Sequence, residues 1–267
     1  DMYSRQNRRP PAQTNIELPR DYSGNAFMPF PEPPLFSGIR EENEQKRAEK
    51  AEEAAQKIQN EYGVFSKGYS YQTETLDETQ IRAIFDDIRS EGYLLDTLVL
   101  NAANLGIGQV SLEVDVREFM GVYTTNVGWN FLMAREAAKQ MKEKGKGAIV
   151  FIGSNSSLRV TENRCAYCSS KSAINAMSKS FAVDWGKYGI RSNVVLPGMI
   201  KTDRWEKNPE FYAKVPSRFT PIGDVAVGED IADAVYYFAA HARNTTGAEL
   251  VVDGGNTIQL YPIIPAN

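Results

Sequence analysis

Histidine and cysteine are nearly absent from this chain, and each scarcity closes off some chemistry. There is one histidine, His241, among 267 residues. A single imidazole near the end of a C-terminal helix gives no support to Ser-His-Asp hydrolysis and argues against a zinc-type alcohol dehydrogenase site. The two cysteines, Cys165 and Cys168, are too few for a disulfide framework. Their CxxC spacing straddles Tyr167 and reads as two small helix residues that pack. A redox switch is the alternative, but that chemistry favours a helix N-terminus on a thioredoxin-like unit, and zinc needs more than two thiols. No apolar run is long enough to span a bilayer, and no signal-peptide pattern opens the chain. Basic excess is also missing: 30 Lys and Arg stand against 34 Asp and Glu, a net charge of −4. Nothing in that balance suggests a nucleic-acid surface or an anionic membrane. The expectation is a soluble, cytoplasmic protein with one sizeable α/β domain.

What is present concentrates between Gly147 and Asp203. GAIVFIGS, residues 147–154, is an apolar, β-branched run that reads as a buried strand. Residues 166–188 read as a helix with small and apolar residues on one side. Tyr167 and Lys171 stand four apart and project from one face of it. Ser154 lies at the C-terminal end of the strand, where ligands gather in open α/β sheets. A phenol is a poor base at neutral pH, but a nearby ammonium favours phenolate. Tyr167 can then exchange a proton with an alcohol or carbonyl oxygen, while the Ser154 hydroxyl polarises it. The remaining step is hydride transfer, which requires a carrier such as nicotinamide.

In these features the sequence resembles the short-chain dehydrogenase/reductase family, in its classical ketoacyl-reductase-like form, over residues 41–255. Tyr167 and Lys171 match the family's YxxxK pair and Ser154 its serine thirteen earlier. Asn101, Ala102, Ala103 and Asn104 match its NNAG, with Ala102 and Asn104 as departures. Pro197, Gly198, Met199, Ile200, Lys201, Thr202 and Asp203 match PGxIxTD, and Val252 to Gly255 match the last strand and its DGG turn. Asn126 falls where the family has a helix Asn that holds a relay water. The resemblance implies a Rossmann-like, doubly wound parallel sheet flanked by helices. It implies an NAD- or NADP-dependent interconversion of a secondary alcohol and a ketone. Tyr167 would be the acid/base, Lys171 its tuner and a nicotinamide-ribose ligand, Ser154 the polarising group, and Asn126 the relay support. Asn101, Ala102, Ala103, Tyr167, Lys171, Pro197, Gly198, Ile200 and Thr202 would hold the cofactor. It also implies a homodimer or homotetramer built on the Asn126 and Tyr167 helices.

Residues 1–36 form a Pro-rich N-terminal extension, with seven of the thirteen prolines in the first 34 positions. Proline excludes an interior strand or helix there. A disordered tail, an arm across a neighbouring subunit and an SH3-type ligand all remain open. The domain itself is read as residues 37–267. Residues 41–62 read as a charged helix whose Ala48, Ala51, Ala54, Ala55 and Ile58 face a sheet. Residues 66–71 read as a short strand, and Glu74 falls near the family's adenine-side Asp. Asp77 reads as the N-cap, with Gln80 at the capping-box position, of a helix reaching residue 91. Strand 96–101, helix 115–142, helix 228–240 and strand 249–253 follow. Trp205, Phe211, Tyr212 and Phe219 fall in the substrate-side segment, and the tail 259–267 is apolar enough to dock on an interface.

The family's opening strand, its TGxxxGIG turn and the second strand are not evident. That turn binds pyrophosphate through backbone N–H groups at a helix N-terminus. Without the first strand, the edge of strand 96–101 lacks its neighbour. Three explanations stand open: a segment preceding Arg40 that this sequence does not contain, an arm with an unfamiliar fold and weak or no cofactor binding, or strands supplied by another chain. The competing functional class is a cofactor-less scaffold or binding subunit.

Overall fold

The computed structural model describes residues 37–72, 75–202, 205, 209 and 218–262, with side chains described from residue 45 onward. The Pro-rich extension, Glu74, Asp203, Phe211, Tyr212 and the last five tail residues lie outside them. The chain divides into two units, Asp1–Asn43 and Glu44–Asn267. In chain order the elements are α1 (Ser37–Tyr62), α2 (Glu78–Ser90), β1 (Thr97–Leu100), α3 (Val116–Tyr123), a π-helical segment (Thr124–Trp129) and α4 (Asn130–Lys144). Then come β2 (Gly147–Ile152), α5 (Cys165–Trp185), β3 (Ile190–Pro197), α6 (Gly228–Tyr236) with a π-helical extension (Tyr237–His241), and β4 (Glu249–Val252).

The four strands form one parallel sheet in the order β1-β2-β3-β4. Alternate residues of a strand point to opposite faces, and helices cover both faces of β2 and of the second half of β3, so residues 148–152 and 194–196 are continuously apolar. Ile149 and Phe151 of β2, with Val194 and Leu196 of β3, join a cluster completed by Phe85, Trp129, Leu132, Ile174 and Phe181 from α2, the π segment, α4 and α5. Val150 and Val195 point the other way, into a second cluster with Ile231, Ala234 and Phe238 of α6 and its extension. The result is a Rossmann-like three-layer sandwich of helices, parallel sheet and helices. Among the described residues β1 pairs only with β2, and its Val99 is 43% exposed.

Local signals place most element ends. Asp77 caps α2 by accepting from the Thr79 N–H at 2.9 Å, and Asp115 caps α3 through the Arg117 N–H at 2.7 Å. Gly145 ends α4 in the left-handed region at φ 72°. Gln80 does not close a capping box. Its amide donates to the Asp77 carboxylate, its carbonyl accepts from the Gln72 N–H, and the Asp77 N–H goes to the Thr75 carbonyl.

Three expectations are corrected. Residues 66–71 form no strand, because no described strand lies beside them to complete a ladder. Helix α1 does not lay an alanine face on the sheet. Only Ala55 is buried, and Ile58 is 45% exposed. Its close partner is instead Gly68, where an added Cβ would stand 2.5 Å from the Ala51 carbonyl carbon. The long helix over residues 115–142 is a rod of α3, π segment and α4, with the wide turn at Asn126.

Candidate active site

The sheet delivers its functional residues at the carboxyl ends of its strands. Ser154 follows β2 with extended backbone, and Gly198 follows β3. Gly153 and Gly198 are points of close packing at these strand ends. A Cβ on Gly153 would meet Leu196 Cδ2 at 2.5 Å, and one on Gly198 would meet Asp253 Cβ at 2.5 Å and its Cα at 2.9 Å. Burial pushes the Asp253 carboxyl up, but hydrogen bonds from Thr257, Asn155 and the Gly255 N–H outweigh it and hold the pKa below the usual carboxylate range. That buried carboxylate thus ties the turn after β4 to Asn155, the neighbour of Ser154.

Ser154, Tyr167 and Gly198 line one cavity of about 670 Å³, together with Arg159, Arg164, Met199, Phe219 and residues of the segment 256–262. The Ser154 oxygen accepts from the Ser156 N–H at 3.1 Å, and among the described residues no acceptor takes the Ser154 proton. Tyr167 sits in the first turn of α5, half-buried. Lys171, one turn further, is only 2% exposed, and its ammonium lies 5.7 Å from the Tyr167 ring centroid. The ammonium donates to the Ile152 carbonyl at 2.7 Å. Burial lowers the Lys171 pKa from 10.5 to about 8.

Asn126 lies behind this pair, fully buried. Its Oδ1 accepts from the Asn104 N–H at 2.7 Å, and its Nδ2 donates to the Asn104 carbonyl at 2.9 Å and to the Ser170 hydroxyl at 2.9 Å. Ser170 in turn donates to the Tyr167 carbonyl at 2.8 Å. The Asn126 carbonyl accepts from Asn130 Nδ2 at 2.8 Å. A mid-helix asparagine here has a purpose: it fastens the loop after β1 to α5.

The expected cofactor residues are spread along the same edge of the sheet. Asn101 and Ala102 follow β1 and are exposed, with Ala103 half-buried. Pro197 closes β3 opposite Val252. Ile200 pairs with Ala226 in an isolated bridge, and Thr202 is exposed. Of these, only Tyr167 and Gly198 line the cavity, with Lys171 behind them. Cys165 is exposed and Cys168 buried, with both thiols free, and His241 is exposed. No group of acidic, histidine and cysteine side chains suited to a metal occurs among the described residues.

Sequence reasoning missed Arg159, Arg164, Asn155 and Ser170. Arg159 donates to the carbonyls of Asn256, Thr257 and Gln259, fastening the C-terminal segment over the cavity. Arg164 stacks on Tyr167, its guanidinium carbon 4.6 Å from the ring centroid. The available signal was an arginine at the start of a helix, where the macrodipole disfavours positive charge.

Comparison with known proteins agrees with this geometry. The family model described as enoyl-(acyl carrier protein) reductase matches residues 43–257. D-threitol dehydrogenase of Mycolicibacterium smegmatis is 30% identical over 79% of this chain and 81% of its own length. A short-chain type dehydrogenase/reductase from Mycobacterium marinum superposes with TM-score 0.71 at 28% identity, covering 79% of this chain and 83% of that one. A gluconate 5-dehydrogenase from Burkholderia cenocepacia, in complex with NADP and tartrate, gives TM-score 0.71 at 25% identity, covering 79% and 83%. Sheet order, strand-end site and these matches all lead to one assignment: the chain belongs to the short-chain dehydrogenase/reductase family of enzymes.

Proposed function

We propose that this protein is an NAD- or NADP-dependent oxidoreductase that interconverts a small secondary alcohol and its ketone. The observation that carries this reading is the shared cavity of the Ser154 and Tyr167 hydroxyls, with the Lys171 ammonium buried 5.7 Å from the Tyr167 ring. Relatives named for alcohol oxidation, and one bound to NADP, support it.

The residues fit the nicotinamide-ribose half of such a cofactor. Lys171 uses one of its three N–H donors on Ile152, leaving two for ribose hydroxyls. Exposed Ala102 and half-buried Ala103, after β1, let a sugar approach the backbone. Thr202, Ile200 and Pro197 flank the same edge. For the pyrophosphate half, the described residues contain no TGxxxGIG turn between a strand and a helix. Bound nicotinamide supplies or accepts the hydride.

The chain's own residues handle the proton. Tyr167 donates it to the carbonyl oxygen in reduction and removes it from the alcohol in oxidation. Lys171 stabilises the phenolate that Tyr167 becomes. Ser154 donates its free proton as a hydrogen bond to the same oxygen, where negative charge develops. Asn126 supports the relay as a positioning residue, holding the Tyr167–Lys171 turn through Ser170. We further propose that two copies pair through the α3–α4 rod and α5.

The test is titration with NADH and NADPH, followed by turnover of a panel of secondary alcohols and ketones. Tyr167→Phe is expected to lower kcat by about 100-fold or more while leaving dinucleotide affinity within a few-fold. Retention of full turnover by Tyr167→Phe, or no dinucleotide binding by the intact protein, would sink the reading.

A further inference from the structure

The cavity beside Ser154 and Tyr167 carries charge of one sign. Its described lining has two arginines, Arg159 and Arg164, and no aspartate or glutamate. The two differ in what they already hold. Arg159 is engaged by three backbone carbonyls. The Arg164 side chain makes no hydrogen bond or ion pair with the described residues, and its Nε is buried without an acceptor.

The backbone holds Arg164 in that position. Asn163 adopts the left-handed region at φ 55°, which asparagine tolerates better than most residues. Arg164 then bridges to Gln109 and caps α5 with φ −136° and ψ 30°, with no side-chain cap bond. A guanidinium at the N-terminus of a 21-residue helix opposes the macrodipole. A buried N–H without an acceptor adds a second unfavourable interaction. An anion in the cavity, paired with the terminal guanidinium N–H groups, would relieve the first. The guanidinium carbon already lies 4.6 Å from the Tyr167 ring centroid, a cation–aromatic contact that holds the group beside the reacting phenol.

We propose that Arg164 binds an anionic group of the substrate, a carboxylate, sulfonate or phosphate, carried a few atoms from the carbon that reacts at Tyr167 and Ser154. This rests on the oxidoreductase reading above and narrows its substrate to anionic hydroxy and oxo compounds. The cavity exceeds what a four-carbon acid fills, so the class is defined by the charge and its position rather than by size.

The probes are 3-oxobutanoate and its methyl ester, which differ by the charge and one methyl group, reduced with NADH and with NADPH. Calorimetry with 3-hydroxybutanoate and with butane-1,3-diol reads binding apart from turnover. The wild type is expected to favour the charged ketone by about tenfold or more in kcat/KM. Arg164→Gln brings the ratio near one and abolishes 3-hydroxybutanoate binding, while Arg164→Lys, which keeps the charge but not the fork, retains part of both. Reduction of the ester with no preference for the acid, or a preference unchanged in Arg164→Gln, overturns the anion site and leaves the oxidoreductase standing. Binding of 3-hydroxybutanoate that depends on Arg164, without turnover of either ketone, sustains the anion site, while absence of NADH and NADPH binding in the same protein overturns the oxidoreductase. No binding of 3-hydroxybutanoate and no preference for the charged ketone overturns the anion site.

Discussion

Lys171 shows how much a single residue's environment decides. Burial lowers its pKa from 10.5 to about 8, equivalent to about 3 kcal/mol of unfavourable ammonium desolvation. The sign follows from linkage. Between pH 8 and 10.5 the unfolded chain keeps the proton that the folded chain has released, so stability rises with pH across that window. Below it both states are charged and the folded state bears the whole penalty. Lys171→Met removes the buried charge at the cost of the Ile152 hydrogen bond. It is expected to raise stability at pH 7 by about 1–2 kcal/mol and to flatten the rise above pH 8. Its turnover is expected to fall about 100-fold or more. Urea melts at pH 7 and 10, beside steady-state rates, check this; a destabilised Lys171→Met would show that its contacts outweigh the charge. The spacing of Ser154, Tyr167 and Lys171 was legible because helix and strand periodicity bring them to one strand end. Arg159 and Arg164 were not, since long flexible side chains take their direction from packing that no local pattern encodes.

Elements were legible where one residue's chemistry sets the boundary, as at Asp77. They were not where a neighbour decides. Residues 66–71 carry strand-like composition, but a strand is defined by its partner. The π segment was hidden for a different reason: six residues are too few for a pattern to separate a wider turn from an ordinary one. Asn126 is the sign that something unusual happens there. Its three side-chain hydrogen bonds join the loop after β1 to α5. Asn126→Ala leaves the Asn104 N–H and carbonyl without these partners, at a cost of about 2–4 kcal/mol. We expect a lower urea midpoint with an unchanged m-value, and a fall in kcat larger than any change in KM. Wild-type stability in Asn126→Ala would show that water replaces the amide fully. Ser170→Ala, which breaks only the link to Tyr167, is expected to reduce kcat with a smaller loss of stability.

At the scale of the whole molecule, the sequence made the parallel sheet and its two helical layers legible, because the continuous apolar run of residues 147–152 requires cover on both faces. How copies of the chain meet is a matter of what the helices leave outside. Phe131 of α4 touches Phe181 of α5, ring centroids 6.1 Å apart, so it sits on the seam between the two helices. It is nonetheless 40% exposed, and Val183 on α5 is 81% exposed. Val116 and Met120 add further exposed apolar surface on the same rod, at 70% and 51%. Arg135 lies over the Phe131 ring at 5.6 Å, an aromatic–cation pair of the kind enriched at interfaces. A two-fold axis passing beside the α4–α5 seam would bury Phe131 and Arg135 against their own copies, since an isologous interface needs only one such patch. The expected outcome is a dimer or higher even oligomer in sedimentation velocity at micromolar concentration. Phe131→Glu combined with Val183→Glu places like charges across the axis and should yield monomers whose circular dichroism is unchanged. A wild-type monomer across that range, or a double variant that stays dimeric, would move the interface away from these helices.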